Sequence, residues 1–333
     1  RQALIRGRDN EMKKCALILP YFGKFNNYFP LFLKSCGYNQ AYDFFIFTDS
    51  TEPYNYPQNV HVVPMTLSEF RTNASQKLGF EPCITTAYKL CDFKPAYGFL
   101  FEEYIRDYEY WGHCDCDLVF GNLEKILSPV LDKDYDKIFA AGHLTIYRNN
   151  FENNRRFMKS LEGREIYREA FTTNRIYVFD ENVKCSMNPD RLNVHTIFRN
   201  DNAKIYEKDL SFNVSPKKAK ITRTAYNPKT QKFEEDLRYA HLARYYLCSD
   251  GLFSASWDKD HVCIRQYLYM HLQSRRMRMS SDIVQSPIVE IRPDRFVKAK
   301  FLPSTKTGLQ NRFFNVLNWF WIDTYKKRFK EKF

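Results

Sequence analysis

Short runs of consecutive apolar residues recur through the first half of the chain, each closed by polar or turn-forming residues. Cys15-Ala-Leu-Ile-Leu-Pro20 leads into Tyr21-Phe22-Gly23-Lys24, Asp43-Phe-Phe-Ile-Phe-Thr-Asp49 ends in polar groups, and Asn59-Val-His-Val-Val-Pro64 is a third such run. Between them, three-to-four spacing of apolar residues predicts helices over about Asn27 to Cys36 and Leu67 to Lys77. Continuous apolar runs separated by helices imply strands covered on both faces, hence an open parallel sheet. Ile84 to Tyr108 reads as a helix broken near Lys94-Pro95, Tyr108 to Asp117 and Asp136 to Gly142 as strands, and Asn150 to Arg168 as a charged helix. From about Asp201 the texture changes. Asn227-Pro228-Lys229-Thr230 is a hairpin turn signal, and Leu252 to Trp257 and Val262 to His271 read as strands. The expected fold class is α/β, a Rossmann-type open sheet with helices on both faces, followed by a β-rich C-terminal portion and a C-terminal amphipathic helix. The expected division is an N-terminal extension over 1–13, native or appended, an α/β region over 14–200, a β-rich region of the same globule over 201–310, and a tail over 311–333.

Composition narrows the classes. Of 333 residues, 51 are Lys or Arg and 39 are Asp or Glu, a formal charge of +12, and 44 % are hydrophobic. That apolar share excludes a disordered chain. No run approaches the roughly 18 to 20 apolar residues that span a bilayer, and Arg1 to Lys14 lacks the apolar run of a signal peptide, so the expectation is a chain not exported by that route. The nine cysteines are scattered from Cys15 to Cys263 without a CxxC pair, which reads as reduced thiols in a cytosol-type compartment. A charge of +12 is compatible with nucleic acid, an anionic membrane or a nucleotide-diphosphate substrate. No RNP, zinc-finger or helix-turn-helix pattern is evident, and the aromatics lie in apolar runs rather than alternating with Lys and Arg, so no nucleic-acid partner is expected.

The most informative stretch is His113-Cys114-Asp115-Cys116-Asp117-Leu118. On a strand, alternation points Asp115 and Asp117 to one face and the two cysteines to the other. Two carboxylates at the C-terminal end of a strand in an open α/β sheet stand where ligands bind, and repel each other unless something positive lies between them. Hard oxygen donors suit Mg²⁺ or Mn²⁺ bridged to substrate phosphates. A solvated pair of carboxylates is the plain alternative. Zinc on His113, Cys114 and Cys116 is the weaker reading, because alternation separates the ligands.

Asp115-Cys116-Asp117 resembles the DxD motif of nucleotide-sugar glycosyltransferases of the GT-A fold. Tyr88-Lys-Leu-Cys-Asp-Phe-Lys-Pro95, Tyr110-Trp-Gly-His-Cys-Asp-Cys-Asp117 and Phe120-Gly-Asn122 together resemble a bacterial glycosyltransferase-like family of capsule, O-antigen and lipopolysaccharide gene clusters. Leu19-Pro-Tyr-Phe-Gly23, Phe47-Thr-Asp49 and Tyr267-Leu-Tyr-Met-His-Leu-Gln273 extend the likeness over roughly Lys14 to Met279. The resemblance implies a GT-A-like sheet and a metal-dependent hexosyl- or N-acetylhexosaminyl-transferase. Its donor would be a nucleoside-diphosphate sugar, UDP favoured, and its acceptor a glycan or a polyprenyl-diphosphate-linked chain. By the same resemblance Tyr21, Phe22 and Gly23 line the nucleotide pocket and Asp49 meets base or ribose, with a turn role for Asp49 equally open. Asp92 and Lys94 face the cleft, with Lys94 neutralising phosphate or merely solvated. Asp115, Asp117 and His271 hold Mn²⁺ or Mg²⁺, and Arg275 and Arg276 meet the leaving diphosphate. Asp180 and Glu181, after the strand-like Arg175-Ile-Tyr-Val-Phe179, form the catalytic acidic pair on the acceptor side, and His143 meets donor sugar or acceptor. For each, a satisfied structural or solvated role is the competing reading.

The tail places Phe313, Phe314, Leu317, Phe320 and Trp321 at three-to-four spacing ahead of Lys326-Lys-Arg-Phe-Lys-Glu-Lys332. An aromatic and basic helix suits the interface of an anionic leaflet, so the expected location is cytoplasmic, peripheral at the inner face of the membrane; packing onto the protein or a second subunit is the alternative. The competing functions are a non-catalytic nucleotide-sugar-binding or scaffolding protein and, further off, a nucleic-acid-binding protein.

Overall fold

The computed structural model describes residues 13–236, 243–273, 275–309 and 319–330. The N-terminal extension before residue 13 and the tail positions Phe313, Phe314 and Leu317 lie outside the described residues.

The expected strands begin the fold as β1 (Lys13–Pro20), β2 (Tyr42–Thr48), β3 (Val60–Pro64) and β4 (Tyr108–Cys114). They pair in parallel in the order β3-β2-β1-β4. Helix α1 (Phe29–Gly37) joins β1 to β2, and α2 (Leu67–Leu78) follows β3. The start of α2 is fixed by a capping box between Thr66 and Glu69, and its end by Gly79 in the left-handed region. The alternation of β1 builds two cores at once. Cys15, Leu17 and Leu19 pack on one face of the sheet with Phe29 and Phe32 of α1, and Ala16 and Ile18 on the other with Phe70 of α2. Both faces are therefore covered.

Beyond β4 the sheet is mixed rather than parallel. After β5 (Leu118–Phe120), β6 (Lys137–Ile138) and β7 (Leu144–Arg148) come next, β7 lying antiparallel to both β4 and β6, and β8 (Ile205–Tyr206) closes the edge of the seven-stranded sheet. The strand expected over Asp136 to Gly142 is cut short after Ile138 because Phe139 adopts φ 73°. Two expected helices are also broken. Ile84 to Tyr108 is a chain of short turns at Ala87–Cys91, Lys94–Ala96, Tyr97–Leu100 and Glu102–Ile105, and Asn150 to Arg168 contains only Phe151–Arg155, Arg156–Met158 and the start of Ile166–Thr172. Within the turn Tyr97–Leu100, Gly98 lies under Trp111, whose ring stands 2.1 Å from where a Cβ would be.

The C-terminal portion is β-rich, as expected. It contains β9 (Phe212–Val214), the hairpin β10 (Arg223–Asn227) and β11 (Lys232–Asp236), then β12 (Ala243–Cys248), β13 (Gly251–Asp258), β14 (His261–Tyr267), β15 (Tyr269–His271), β16 (Ile288–Ile291) and β17 (Phe296–Ala299). The single strand expected over Val262 to His271 divides at Leu268. Its halves enter different sheets, β14 in the order β14-β13-β12-β16-β17 and β15 in the order β11-β10-β9-β15-β5. That division carries His271 to the end of β4. A helix over Trp319–Lys330 follows, and no helix of the described residues is long and apolar enough to cross a membrane.

Candidate active site

The strand β4 stops at Cys114, one residue before the acidic pair. Asp115 and Asp117 therefore stand on a turn between two sheets, so strand alternation does not place them. The Asp115 amide donates to His143 O at 3.1 Å, and Cys116, 7 % exposed, and Cys114 pack into the core, away from any zinc role. β5 then pairs with β15 so that His271 lies opposite Leu118, the residue after Asp117, and β15 pairs with β9 so that His271 lies opposite Asn213. Register thus brings His271 to Asp115 and Asp117, which precede it by more than 150 positions in the chain.

One ligand atom from each of Asp115, Asp117 and His271 lies within 4.8 Å of the others. His271 Nδ1 is 3.0 Å from Asn213 Oδ1, which also accepts from Gln273 Nε2 at 2.7 Å. An oxygen acceptor requires Nδ1 to be the donor, so the Nε2 edge faces the carboxylates, 3.2 Å from Asp117 Oδ1 and 4.0 Å from Asp115 Oδ2. Asp117 Oδ1 is buried without a hydrogen-bond partner. Burial pulls the His271 imidazole down, but Asp117 and Asp115 outweigh it and raise it above its ordinary value. Either a second proton on His271 or a cation among the three groups relieves this convergence of acceptors. The donor set, two carboxylates and one imidazole held by a second layer, fits Mn²⁺ or Mg²⁺.

Lys94 lies beside this group, where the cleft was expected. Its ammonium donates to Gly142 O at 2.9 Å and stands 2.7 Å from Asp115 Oδ1 and 3.3 Å from Asp180 Oδ2. Burial disfavours its charge, yet Asp115 and Asp180 hold it well above the usual lysine value. Asp180 is 5 % exposed. Its carboxyl is pushed up to about 7 by burial, against the pull of Lys94 and with the push of Glu181 and Asp92. Half-buried Glu181 is raised by burial as well, with Lys94 and the Gly142 backbone opposing. A Cβ on Gly142 would lie 2.3 Å from Asp180 Oδ2, so only glycine allows this approach. His143 is buried against His271, ring centroids 4.5 Å apart, with Nδ1 2.7 Å from Tyr269 Oη and Nε2 unpartnered. Burial, His271 and Lys94 keep it well below its ordinary value, so the ring is neutral.

The remaining expected residues divide. Tyr21 is at the same end, its hydroxyl raised to about 12 by burial and by nearby Cys116 and Asp117. Gly23, at φ 102°, donates its amide to exposed Asp49 Oδ1 at 2.8 Å, so Asp49 holds the turn after β1. Phe22, 8 % exposed, belongs largely to the core against Phe70. Asp92 is not on the cleft surface. It is fully buried, paired to Lys89 at 2.6 Å, and accepts the amides of Tyr177 and Phe179 at 2.9 Å each, so it anchors the segment ahead of Asp180 rather than a nucleotide. Arg175 to Phe179 makes no strand, because its amides turn inward to Asp92 and Val178 has φ 60°. Arg275 is likewise spent on the backbone carbonyls of Ser215, Lys218, Ala219 and Pro293, and Arg276 pairs both oxygens of Asp323 at 2.9 Å. Neither arginine is turned to a diphosphate. Sequence reasoning missed Asn213, Tyr269 and Gly142. The one available signal was a polar residue interrupting the apolar Phe212-Asn-Val214.

Residues 17–300 match a family described as a family of unknown function (DUF6625). The chain belongs to that family. No curated protein matches it. Among solved structures, this DUF6625 member is similar to the galactosyltransferase LgtC, determined in complex with donor and acceptor sugar analogues. The identity is 12 %, covering 60 % of this chain and 75 % of that one, with a TM-score of 0.32. At that score the likeness carries no weight for the function of this chain.

Proposed function

We propose that this chain is a divalent-metal-assisted glycosyltransferase. It moves a sugar from a nucleoside-diphosphate sugar, UDP favoured, to a glycan or polyprenyl-diphosphate-linked acceptor in bacterial surface-polysaccharide synthesis. The observation that carries the reading is the convergence of Asp115, Asp117 and His271 within 4.8 Å, beside a carboxyl poised at about 7 on Asp180. The motif resemblance of Asp115-Cys116-Asp117 and its flanks supports the donor class.

Asp115, Asp117 and His271 would hold Mn²⁺ or Mg²⁺. When bound, such an ion supplies Lewis-acid charge to a departing diphosphate. The chain's own groups do the rest. Asn213 fixes the tautomer and angle of His271, and Lys94 holds Asp115 and Asp180 from one ammonium. An acid with its pKa near the working pH is most effective in proton transfer, so Asp180, with Glu181 beside it, takes the proton of an acceptor hydroxyl. Neutral His143 offers its unpartnered Nε2 to a sugar hydroxyl. Tyr21 and Gly23 lie on the nucleotide side. The helix Trp319–Lys330, with Trp319, Trp321 and Tyr325 exposed, supports peripheral attachment at the cytoplasmic face of an anionic membrane.

A panel of nucleotide sugars, incubated with Mn²⁺ or with a chelator, tests the reading. Release of nucleoside diphosphate from one donor class, abolished by chelation and restored by added metal, is expected. Release from none of the panel, or release that survives chelation, contradicts it.

A further inference from the structure

Two aromatic side chains flank the carboxylates of the site without closing a core. Tyr88 is 75 % exposed, a large ring surface left in water. It sits on the tight turn Ala87–Cys91, which is followed by a second at Lys94–Ala96. Side chains three apart share a face in such turns, which puts Tyr88 and Cys91 on one face of the first turn, with Lys94 opening the second three residues on. Lys94 reaches inward to Asp115 and Asp180, while Tyr88 stays at the surface. Desolvation and then the nearby Cys91, Asp180 and Asp115 raise the Tyr88 hydroxyl, with Lys94 opposing. From the hairpin β10–β11, half-exposed Phe233 reaches the same place, its ring 6.3 Å from that of His143 and 5.6 Å from that of Tyr226.

Between these rings the Lys94 ammonium is taken up by Asp115, Asp180 and Gly142 O, which leaves groups that pair with hydroxyls. Asp180 and Glu181 offer carboxylate oxygens, and His143 a ring nitrogen without a partner among the described residues. Carboxylates repel phosphate and carboxylate ligands but accept hydrogen bonds from hydroxyls. A ligand that suits both features has an uncharged apolar face for the aromatics and a rim of hydroxyls for the acceptors. A pyranose ring has both. We propose that Tyr88 and Phe233 are the two walls of a saccharide subsite over Asp180 and His143, each stacking on the C–H face of one sugar ring. The proposal rests on the glycosyl-transfer reading of this site and assigns the residues that recognise the sugar.

The test uses the fluorescently labelled full chain on a printed array of mono- and oligosaccharides, without nucleotide or metal, so that no turnover is needed. The native chain is retained by a set of glycans. Tyr88→Ala and Phe233→Ala each lower that retention about tenfold, the weight of one aromatic contact, while Tyr88→Phe, which keeps the ring, retains it. A second arm adds UDP with Mn²⁺, or UDP-glucose with Mn²⁺. Retention that survives both assigns the ring to the acceptor; retention displaced by UDP-glucose but not by UDP assigns it to the donor. Native retention by no glycan, or full retention by Tyr88→Ala with an unchanged melting curve, overturns the proposal. A positive array beside a failed donor-release panel retires the transfer reading and leaves the subsite standing. A positive panel beside an indifferent Tyr88→Ala retires the subsite alone.

Discussion

Asp92 and Lys94 are two residues apart, yet belong to charge clusters of opposite character. In the first, the Lys89 ammonium has Asp92 at 2.6 Å and the carbonyls of Ala170 and Arg175 at 2.7 Å, while Asp92 also takes two backbone amides. Every charge is answered inside the protein, and both side chains are 1 % exposed or less. In the second, Asp115, Asp117, Asp180 and Glu181 face only Lys94 and His271 as cations among the described residues, and Asp115 and Asp117 remain 31 % and 22 % exposed. The first cluster is a closed structural clamp. The second is short of positive charge and open on one side, and the proposed function rests on that imbalance.

Substitutions sharpen that contrast. Asp92→Ala strands the Lys89 charge and two amides in the core, so chemical denaturation should show a loss of about 3–5 kcal/mol. Asp117→Ala should change the same midpoint by less than about 1 kcal/mol. Equal losses would erase the distinction. Next in size, Gly142→Ala drives a methyl into Asp180 Oδ2 and should lower the transfer rate about tenfold or more while metal binding persists, since the metal donors lie elsewhere. A rate unchanged by this substitution would remove Asp180 from the chemistry.

A pH profile separates the clusters in a further way. Asp180 titrates at about 7 in the folded chain, so a proton-accepting role predicts activity rising up to about tenfold per unit below that pH and levelling above it. The folded state holds this proton more tightly than the unfolded chain, whose Asp titrates near about 3.9. Its contribution to stability is therefore full below about 4 and falls as pH rises through about 7. Asp180→Asn should remove both the limb and that slope; a profile flat across pH 6 to 8 contradicts the role. The smallest effect is expected at the tail. Removing residues 311–333 should reduce co-sedimentation with phosphatidylglycerol vesicles several-fold, and equal recovery with and without them would refute membrane attachment.

What was legible in the sequence followed from local rules. The apolar runs of β1, β2 and β3 and the spacing of α1 and α2 announce their elements because each is buried on both faces or along one stripe. The trio Asp115, Asp117 and His271, expected by resemblance, is brought together by the register of β15 with β5, a long-range pairing that no local pattern encodes. For the same reason the break at Leu268 and the antiparallel entry of β7 were missed. Residue type alone also misled at Asp92, Arg275 and Arg276, since a charged side chain next to a motif looks the same whether it meets ligand or backbone. Only the destination of each hydrogen bond separates the two.

The central claim is that Asp115, Asp117 and His271 bind a divalent cation that in turn receives a nucleoside diphosphate. Calorimetry of UDP binding to the full chain, with and without Mn²⁺, tests it most directly. Binding that requires Mn²⁺ and falls about a hundredfold or more in Asp117→Asn is the predicted result, and UDP binding that is indifferent to the metal or to that substitution would contradict it.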